Sequence, residues 1–146
     1  MTTVAKVNEG SKVIENMKAL EAYDPNSFRQ PPPAVWDGLL DVADHTAQAI
    51  GAQDPLTKTF LAFALLAAKV FDRKQRSYGP GNIAKFSDFG VLVRVHDKKE
   101  RLVNLYGGGH DPAEEGRDDT WGDQANYSLI ALMCRWGFWP GAKKAA

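Results

Sequence analysis

The stretch "SDFGVLVRVHDKKERLVNLYGGG", residues 87–109, decides the fold class because it suits two kinds of secondary structure. Its segment "VLVRV", residues 91–95, is rich in β-branched residues and would by itself suit a strand. Over the longer window, four apolar residues fall on one side of a helix: Val91, Val95, Leu102 and Leu105. Four polar residues fall on another side: Arg94, Asp97, Arg101 and Asn104. We therefore predict a helix over residues 87–106.

The segments around this stretch also carry helical signals. Apolar residues recur at helical spacing in residues 11–23, with Ser11 as a possible cap, and in residues 34–51, where Gly51 ends the helix. Residues 55–77 follow the capping residue Asp54, and they are apolar almost all round, so we expect this helix to be heavily buried. A last long helix is predicted over residues 118–136, and "YGPGN" is read as a turn. The sequence thus predicts an all-α bundle of five helices.

A proline-rich segment divides the chain without defining two domains. Three consecutive prolines in "DPNSFRQPPPA" fix an extended, stiff connector. We expect a single domain overall. Residues 1–33 form an N-terminal accessory helix and the proline-rich connector, and residues 34–146 form the helical domain. Residues 1 to about 8 are expected to be a loose start.

Composition excludes several classes of protein. The 146 residues contain 18 lysines and arginines and 18 aspartates and glutamates, which argues against a stable nucleic-acid partner. Cys134 is the single cysteine, so no disulfide framework is predicted. The longest apolar stretch, residues 60–71, contains Lys69 and is too short to span a bilayer. We expect a cytoplasmic protein with no membrane partner.

Two acidic residues on the last helix suggest a metal site. In "DDTWGDQANY", residues 118–127, Asp119 and Asp123 lie one helical turn apart, where like charges repel. If this helix packs antiparallel to the helix over residues 87–106, their polar stripes face each other. Three or four carboxylates then meet, Glu115 and Asp97 among them, and a hard cation such as Mg²⁺ or Mn²⁺ would relieve their repulsion. The alternative is that Asp118 and Asp119 merely cap the helix while Asp123 is solvated.

The spacing of polar residues from Lys74 to Leu132 resembles a known pattern. It consists of a lysine and Tyr-Gly before an asparagine, then Arg-x-x-Asp-Lys-x-x-Arg-Leu-x-Asn-Leu, then a glutamate and Asp-Thr-x-x-Asp-x-x-Asn-Tyr. The matching residues are Lys74, Tyr78, Gly79, Asn82, Arg94, Asp97, Lys98, Arg101, Asn104, Glu115, Asp119, Asp123, Asn126 and Tyr127. In these residues the chain resembles a phage-associated family of small all-α proteins of nucleotide metabolism, which is in turn similar to the MazG-like nucleoside triphosphate pyrophosphatases. Residues 1–60 lie outside the resemblance.

The resemblance implies a fold, an activity and a metal. It implies a MazG-like helical domain that converts a (d)NTP to a (d)NMP and pyrophosphate with Mg²⁺ or Mn²⁺, in phage nucleotide metabolism, as a homodimer or homotetramer. The implied metal ligands are Asp97 with Glu100, Asp119 with Asp123, and Glu115. In MazG-like enzymes the second pair is Glu-x-x-Asp. Here Asp119 and Asp123 are four residues apart instead of three.

The resemblance also assigns roles in binding and catalysis. The implied catalytic residues are Asp97, Lys98, Arg101 and Asp123. The implied nucleotide-binding residues are Lys74, Tyr78, Asn82, Arg94, Asn104 and Asn126. Lysine and arginine suit phosphate oxygens, and arginine can bind them in bidentate fashion. Two alternatives stay open. The first is a nucleotide-binding protein without hydrolysis or an enzyme that acts on a nucleoside monophosphate. The second is a purely structural helical protein.

Overall fold

The computed structural model describes residues 2–113 and 115–142, with side chains from residue 9 onward. This part of the chain is helical and contains no strand, which confirms the all-α prediction. The "VLVRV" segment lies inside a helix, as its longer window indicated. The helices are α1 (Thr2–Ala22), α2 (Pro33–Ala49), α3 (Leu56–Tyr78), α4 (Gly81–Ala84), α5 (Ser87–Gly107) and α6 (Arg117–Arg135).

Two predictions about these helices are wrong. Helix α1 begins at Thr2 rather than Ser11, because residues 2–10 contain no proline and the single Gly10 does not interrupt a helix. Helix α4 lies where a turn was predicted. The backbone N–H groups of Ile83 and Ala84 donate to the Pro80 carbonyl at 3.2 and 3.0 Å, so the chain makes one helical turn after the proline. The described residues therefore contain six helices instead of five.

The predicted signals at the ends of α2 and α3 are confirmed. Gly51 follows α2 with a φ of 69°, which glycine adopts without strain. The helix begins at Pro33, one residue earlier than predicted, because proline suits the first helical position. Before α3, the Asp54 carboxylate accepts the Leu56 backbone N–H at 2.8 Å. This bond satisfies one of the free N–H groups at the start of the helix.

The chain forms two compact units. Unit 1 comprises the residues up to Pro25 and Gln30–Lys69, and unit 2 comprises Asn26–Arg29 and the residues from Val70 onward. The division of the chain at residues 33 and 34 remains a prediction.

The core of unit 1 is formed by α1, α2 and the first part of α3. Its buried residues are Val35, Leu39, Ala43, Ala62 and Leu66. Lys69 donates to the Leu20 carbonyl at 2.7 Å, so this lysine within the apolar stretch satisfies a carbonyl at the end of α1. The expectation that α3 is buried all round is wrong, because Leu56 and Phe60 are largely exposed. Ala62 and Leu66 lie on the face of α3 that packs into the core. Leu56 and Phe60 lie outside the core.

In unit 2, α5 and α6 pack antiparallel, as predicted. Trp121 near the start of α6 donates to the Tyr106 hydroxyl at 3.1 Å, and Arg135 at its end pairs with Asp88 of α5 at 3.2 Å. The buried core residues are Ile83, Val91, Ile130, Cys134 and Trp139. Burial raises the pKa of the Cys134 thiol above its ordinary value of 9.0, so the thiol packs uncharged. None of the described helices is both long and apolar enough to cross a membrane.

Gly38 allows α2 to approach α1. A Cβ atom at residue 38 would lie 2.7 Å from the Asn16 carbonyl oxygen and 3.1 Å from the Leu20 Cβ. We therefore expect Gly38→Ala to lower the free energy of unfolding by about 1–3 kcal/mol, as overpacking does. The measurement is chemical denaturation followed by circular dichroism.

The matched control is Gly10→Ala in α1, where a Cβ meets nothing within 4 Å. Alanine there is expected to stabilise the protein by up to about 1 kcal/mol. Equal effects of the two substitutions would contradict the close approach of α1 and α2.

Candidate functional site

Two lysines hold one aspartate in unit 2. Lys98 of α5 contacts one carboxylate oxygen of Asp123 at 2.9 Å, and Lys74 of α3 donates to the other. Each oxygen thus has its own ammonium group. We call Lys74, Lys98 and Asp123 the lysine–aspartate cluster. It joins the last turns of α3, the middle of α5 and the second turn of α6.

The cluster is partly shielded from water. The side chain of Asp123 is 14% exposed, that of Lys98 is 23% exposed, and that of Lys74 is 34% exposed. Charges in such a setting interact more strongly than on an open surface, because the surrounding medium screens them less. Two ammonium groups face one carboxylate in the cluster, and the Asp119 carboxylate lies one helical turn away. The ammonium groups are the donors that an anion reaching this position would contact.

Asp119, one turn before Asp123, has a different partner. Its carboxylate accepts the backbone N–H of Phe28 at 2.6 Å. The Phe28 ring lies against Gly122, where a Cβ atom would come within 2.1 Å of the ring. Arg29 donates to the Ala113 carbonyl at 3.3 Å. The segment Asn26–Arg29 is thus held to the first half of α6 by a hydrogen bond and a ring contact, and to the loop before α6 by Arg29.

Arg101 and Glu115 form a separate pair. Arg101 donates to the Glu115 backbone carbonyl through Nε at 3.0 Å and through a terminal nitrogen at 2.7 Å. Its other terminal nitrogen lies 3.4 Å from the Glu115 carboxylate. Glu115 has a φ of 51°, which an L-residue adopts only when its surroundings hold it there. The arginine predicted to bind phosphate therefore supports the loop before α6 in this structure.

The remaining predicted residues lie around these contacts. On α5, four are exposed: Arg94, Asp97, Glu100 and Asn104. Tyr78 at the end of α3 and Asn82 in α4 are also exposed, and Asn126 lies half-buried on α6, three residues after Asp123. The structure thus joins Lys74, Lys98 and Asp123, and pairs Arg101 with Glu115.

The predicted gathering of three or four carboxylates is not present among the described residues. That part of the chain contains no group of three or more histidine, cysteine, aspartate or glutamate side chains that could hold a metal ion. Asp119 is instead stabilised by a backbone N–H and Asp123 by two lysines, so their repulsion is offset without a metal ion. The metal site therefore stays a prediction.

Sequence reasoning missed two residues of the site. Phe28 lies in the segment that the proline run predicts to be a stiff connector. Its partner Asp119 is 91 positions away in the sequence. Gly122 did carry a signal, because an isolated glycine inside a helical pattern costs stability and often marks a close contact. The identity of the contacting segment could not be read from that glycine.

Gly122→Ala tests the docking of Phe28. We expect this substitution to displace the ring and to lower the free energy of unfolding by about 1–3 kcal/mol, because the new Cβ would overlap it. In a Phe28→Ala background the overlap is absent, so the same substitution is expected to cost less. Denaturation of the four proteins of this double-mutant cycle gives the coupling energy. Stabilisation by Gly122→Ala in the native background would contradict the contact.

The chain was compared with known proteins at three levels. No family model, no curated protein and no solved structure matches it. The resemblance to the MazG-like enzymes therefore rests on the spaced residues from Lys74 to Leu132 alone.

Proposed function

We propose that this chain is a metal-dependent nucleoside triphosphate pyrophosphohydrolase that converts a (d)NTP to a (d)NMP and pyrophosphate. The observation that carries the proposal is the lysine–aspartate cluster. Lys74, Lys98 and Asp123 are far apart in the sequence, and the resemblance assigns each of them to the site. In the structure they are in direct contact.

Lys74 and Lys98 are the proposed phosphate-binding residues. Both carry flexible ammonium groups with three donors each, which suit the oxygens of a polyphosphate. Their side chains are partly exposed, so phosphate can reach them from solvent. Arg101 follows Lys98 on α5 by three residues, on the same side of the helix. It would add a guanidinium group if it released Glu115.

The acidic residues fit a divalent cation in their chemistry. Asp119 and Asp123 offer carboxylate oxygens one turn apart on α6, and Mg²⁺ and Mn²⁺ prefer such oxygens. Both are engaged by protein donors in this structure, so a cation has to compete for them. Asp97, Glu100 and Glu115 are the further proposed ligands. When bound, the cation would neutralise phosphate oxygens and lower the pKa of a bound water.

A second function is favoured by the partners of the two aspartates. Asp119 accepts the Phe28 N–H and Asp123 pairs with two lysines, so both carboxylates are engaged by protein donors and neither is left open to a metal ion. A nucleotide-binding protein without hydrolysis, or an enzyme acting on a nucleoside monophosphate, is the alternative. The proposed setting, phage nucleotide metabolism in the host cytoplasm, derives from the resemblance alone.

We also propose that the protein is a homodimer or homotetramer. Several large apolar side chains of α5, of α6 and of the residue that follows α6 are more than half exposed: Phe89, Leu92, Leu129 and Trp136. Phe89 and Trp136 adjoin the Asp88–Arg135 pair, so they share one end of the α5–α6 pair. A second copy covering this end would remove apolar surface from water.

Light scattering coupled to size-exclusion chromatography tests the assembly. We expect twice or four times the mass of one chain, and we expect Phe89→Arg to reduce it because a charge at a buried interface is costly. Phe60→Arg, on an equally exposed residue of unit 1, is the control and should leave the mass unchanged. A monomeric native protein would contradict this part of the proposal.

The activity is tested by incubating the protein with each (d)NTP and Mg²⁺ or Mn²⁺ and measuring pyrophosphate. We expect pyrophosphate release, and a decrease of about 10²-fold or more in kcat/KM for Lys98→Met, since a phosphate contact in a preorganised site is lost. Lys58→Met is the matched control, because Lys58 forms an exposed ion pair with Asp44 in unit 1. Metal-dependent nucleotide binding without product would favour the alternative. Release of orthophosphate alone would contradict the proposed reaction.

A further inference from the structure

We propose that Asp123 occupies the phosphate-binding lysines of the free protein, and that an incoming polyphosphate displaces it. Lys74 and Lys98 then pair with phosphate oxygens, and the freed Asp123 becomes a metal ligand. Polyphosphate and metal would thus promote each other's binding. This inference deepens the proposed function and rests on it for the nature of the ligand, but its test requires no hydrolysis.

The two lysines hinder metal binding at Asp123 in the free protein. A cation that approaches Asp123 meets an ammonium group at each carboxylate oxygen. It has to displace two charge-assisted hydrogen bonds and to approach two positive charges. Free metal is therefore expected to bind weakly while both lysines remain in place.

A polyphosphate can take the place of the Asp123 carboxylate on both lysines. A carboxylate and a phosphate are both oxyanions that accept hydrogen bonds from ammonium groups, so a polyphosphate can replace Asp123 without leaving either lysine unpaired. A triphosphate carries several negative charges, whereas Asp123 carries one. The partly exposed Lys74 and Lys98 offer the polyphosphate a route to both partners. Exchange of the lysines from aspartate to phosphate is thus favoured by charge.

Displacement by a polyphosphate would leave Asp123 without its two lysine partners. Asp123 is 14% exposed, and a shielded carboxylate without a partner is unfavourable. A cation that arrives with the polyphosphate can satisfy it. Asp119 lies one turn away on the same helix and binds Phe28 through one oxygen, so a second carboxylate stands beside the same position. The polyphosphate frees Asp123 for the cation, and the cation frees the lysines for the polyphosphate. Such coupling between two ligands is reciprocal.

The metal half of this exchange is tested with Mn²⁺ alone, measured by the electron paramagnetic resonance signal of the free ion. Lys98→Met removes one ammonium group from Asp123, so we expect its Mn²⁺ affinity to be about tenfold higher than that of the native protein, a value typical of coupled sites. Lys58→Met removes the same charge from an exposed pair in unit 1 and should leave the affinity unchanged.

The anion half is tested with inorganic tripolyphosphate in the presence of a chelator, by isothermal titration calorimetry. Asp123→Asn no longer competes for the lysines as an anion, so we expect tripolyphosphate to bind at least about fivefold more tightly than to the native protein. Asp44→Asn, the matched control in the exposed pair with Lys58, should bind like the native protein.

Either of two results would overturn the proposal: unchanged or weaker Mn²⁺ binding by Lys98→Met, or unchanged or weaker tripolyphosphate binding by Asp123→Asn. If Lys98→Met does not fold by circular dichroism, Lys98→Gln keeps a hydrogen-bond donor, removes the charge and replaces it in the same test. Pyrophosphate release is measured separately. Absence of pyrophosphate with both affinity changes present would reject the hydrolase alone, whereas pyrophosphate release without these changes would reject the exchange alone.

Discussion

The contact of two lysines with one carboxylate is the interaction on which the candidate site depends. Asp119 and Asp123 repel each other across one turn of α6, and such pairs weaken a helix. In the structure each aspartate has its own donor, a backbone N–H for Asp119 and two ammonium groups for Asp123. The two carboxylates can therefore lie one turn apart without a metal ion between them.

The same contact explains how distant segments come together. Lys74 ties the end of α3 to α6, and Lys98 ties α5 to it. Phe28 adds the segment Asn26–Arg29, since its ring packs on Gly122 and its N–H is bound by Asp119. Asp119 and Asp123 of α6 thus hold the segment Asn26–Arg29, the end of α3 and the middle of α5 together in unit 2.

Much of the fold was predictable, because its signals are local. The 3.6-residue period identified α5, and Asp54 and Gly51 marked helix ends. Helix α4 was missed because proline and glycine signal a turn, and one turn of helix differs little from it. The site was only partly predictable. The polar stripes, which include Asp97 and Asp123, indicated that α5 and α6 are neighbours. They did not indicate that two lysines would hold Asp123. The contact of Phe28 with Asp119 could not be predicted, because no local sequence pattern links the connector to a residue 91 positions away.

The most direct measurement is a crystal structure of the protein with Mn²⁺ and a non-hydrolysable nucleoside triphosphate. We predict that Lys74 and Lys98 contact phosphate oxygens in that structure, and that the Asp123 carboxylate has left both lysines to bind the metal. A structure with the triphosphate bound while both lysines remain on Asp123 would contradict this prediction.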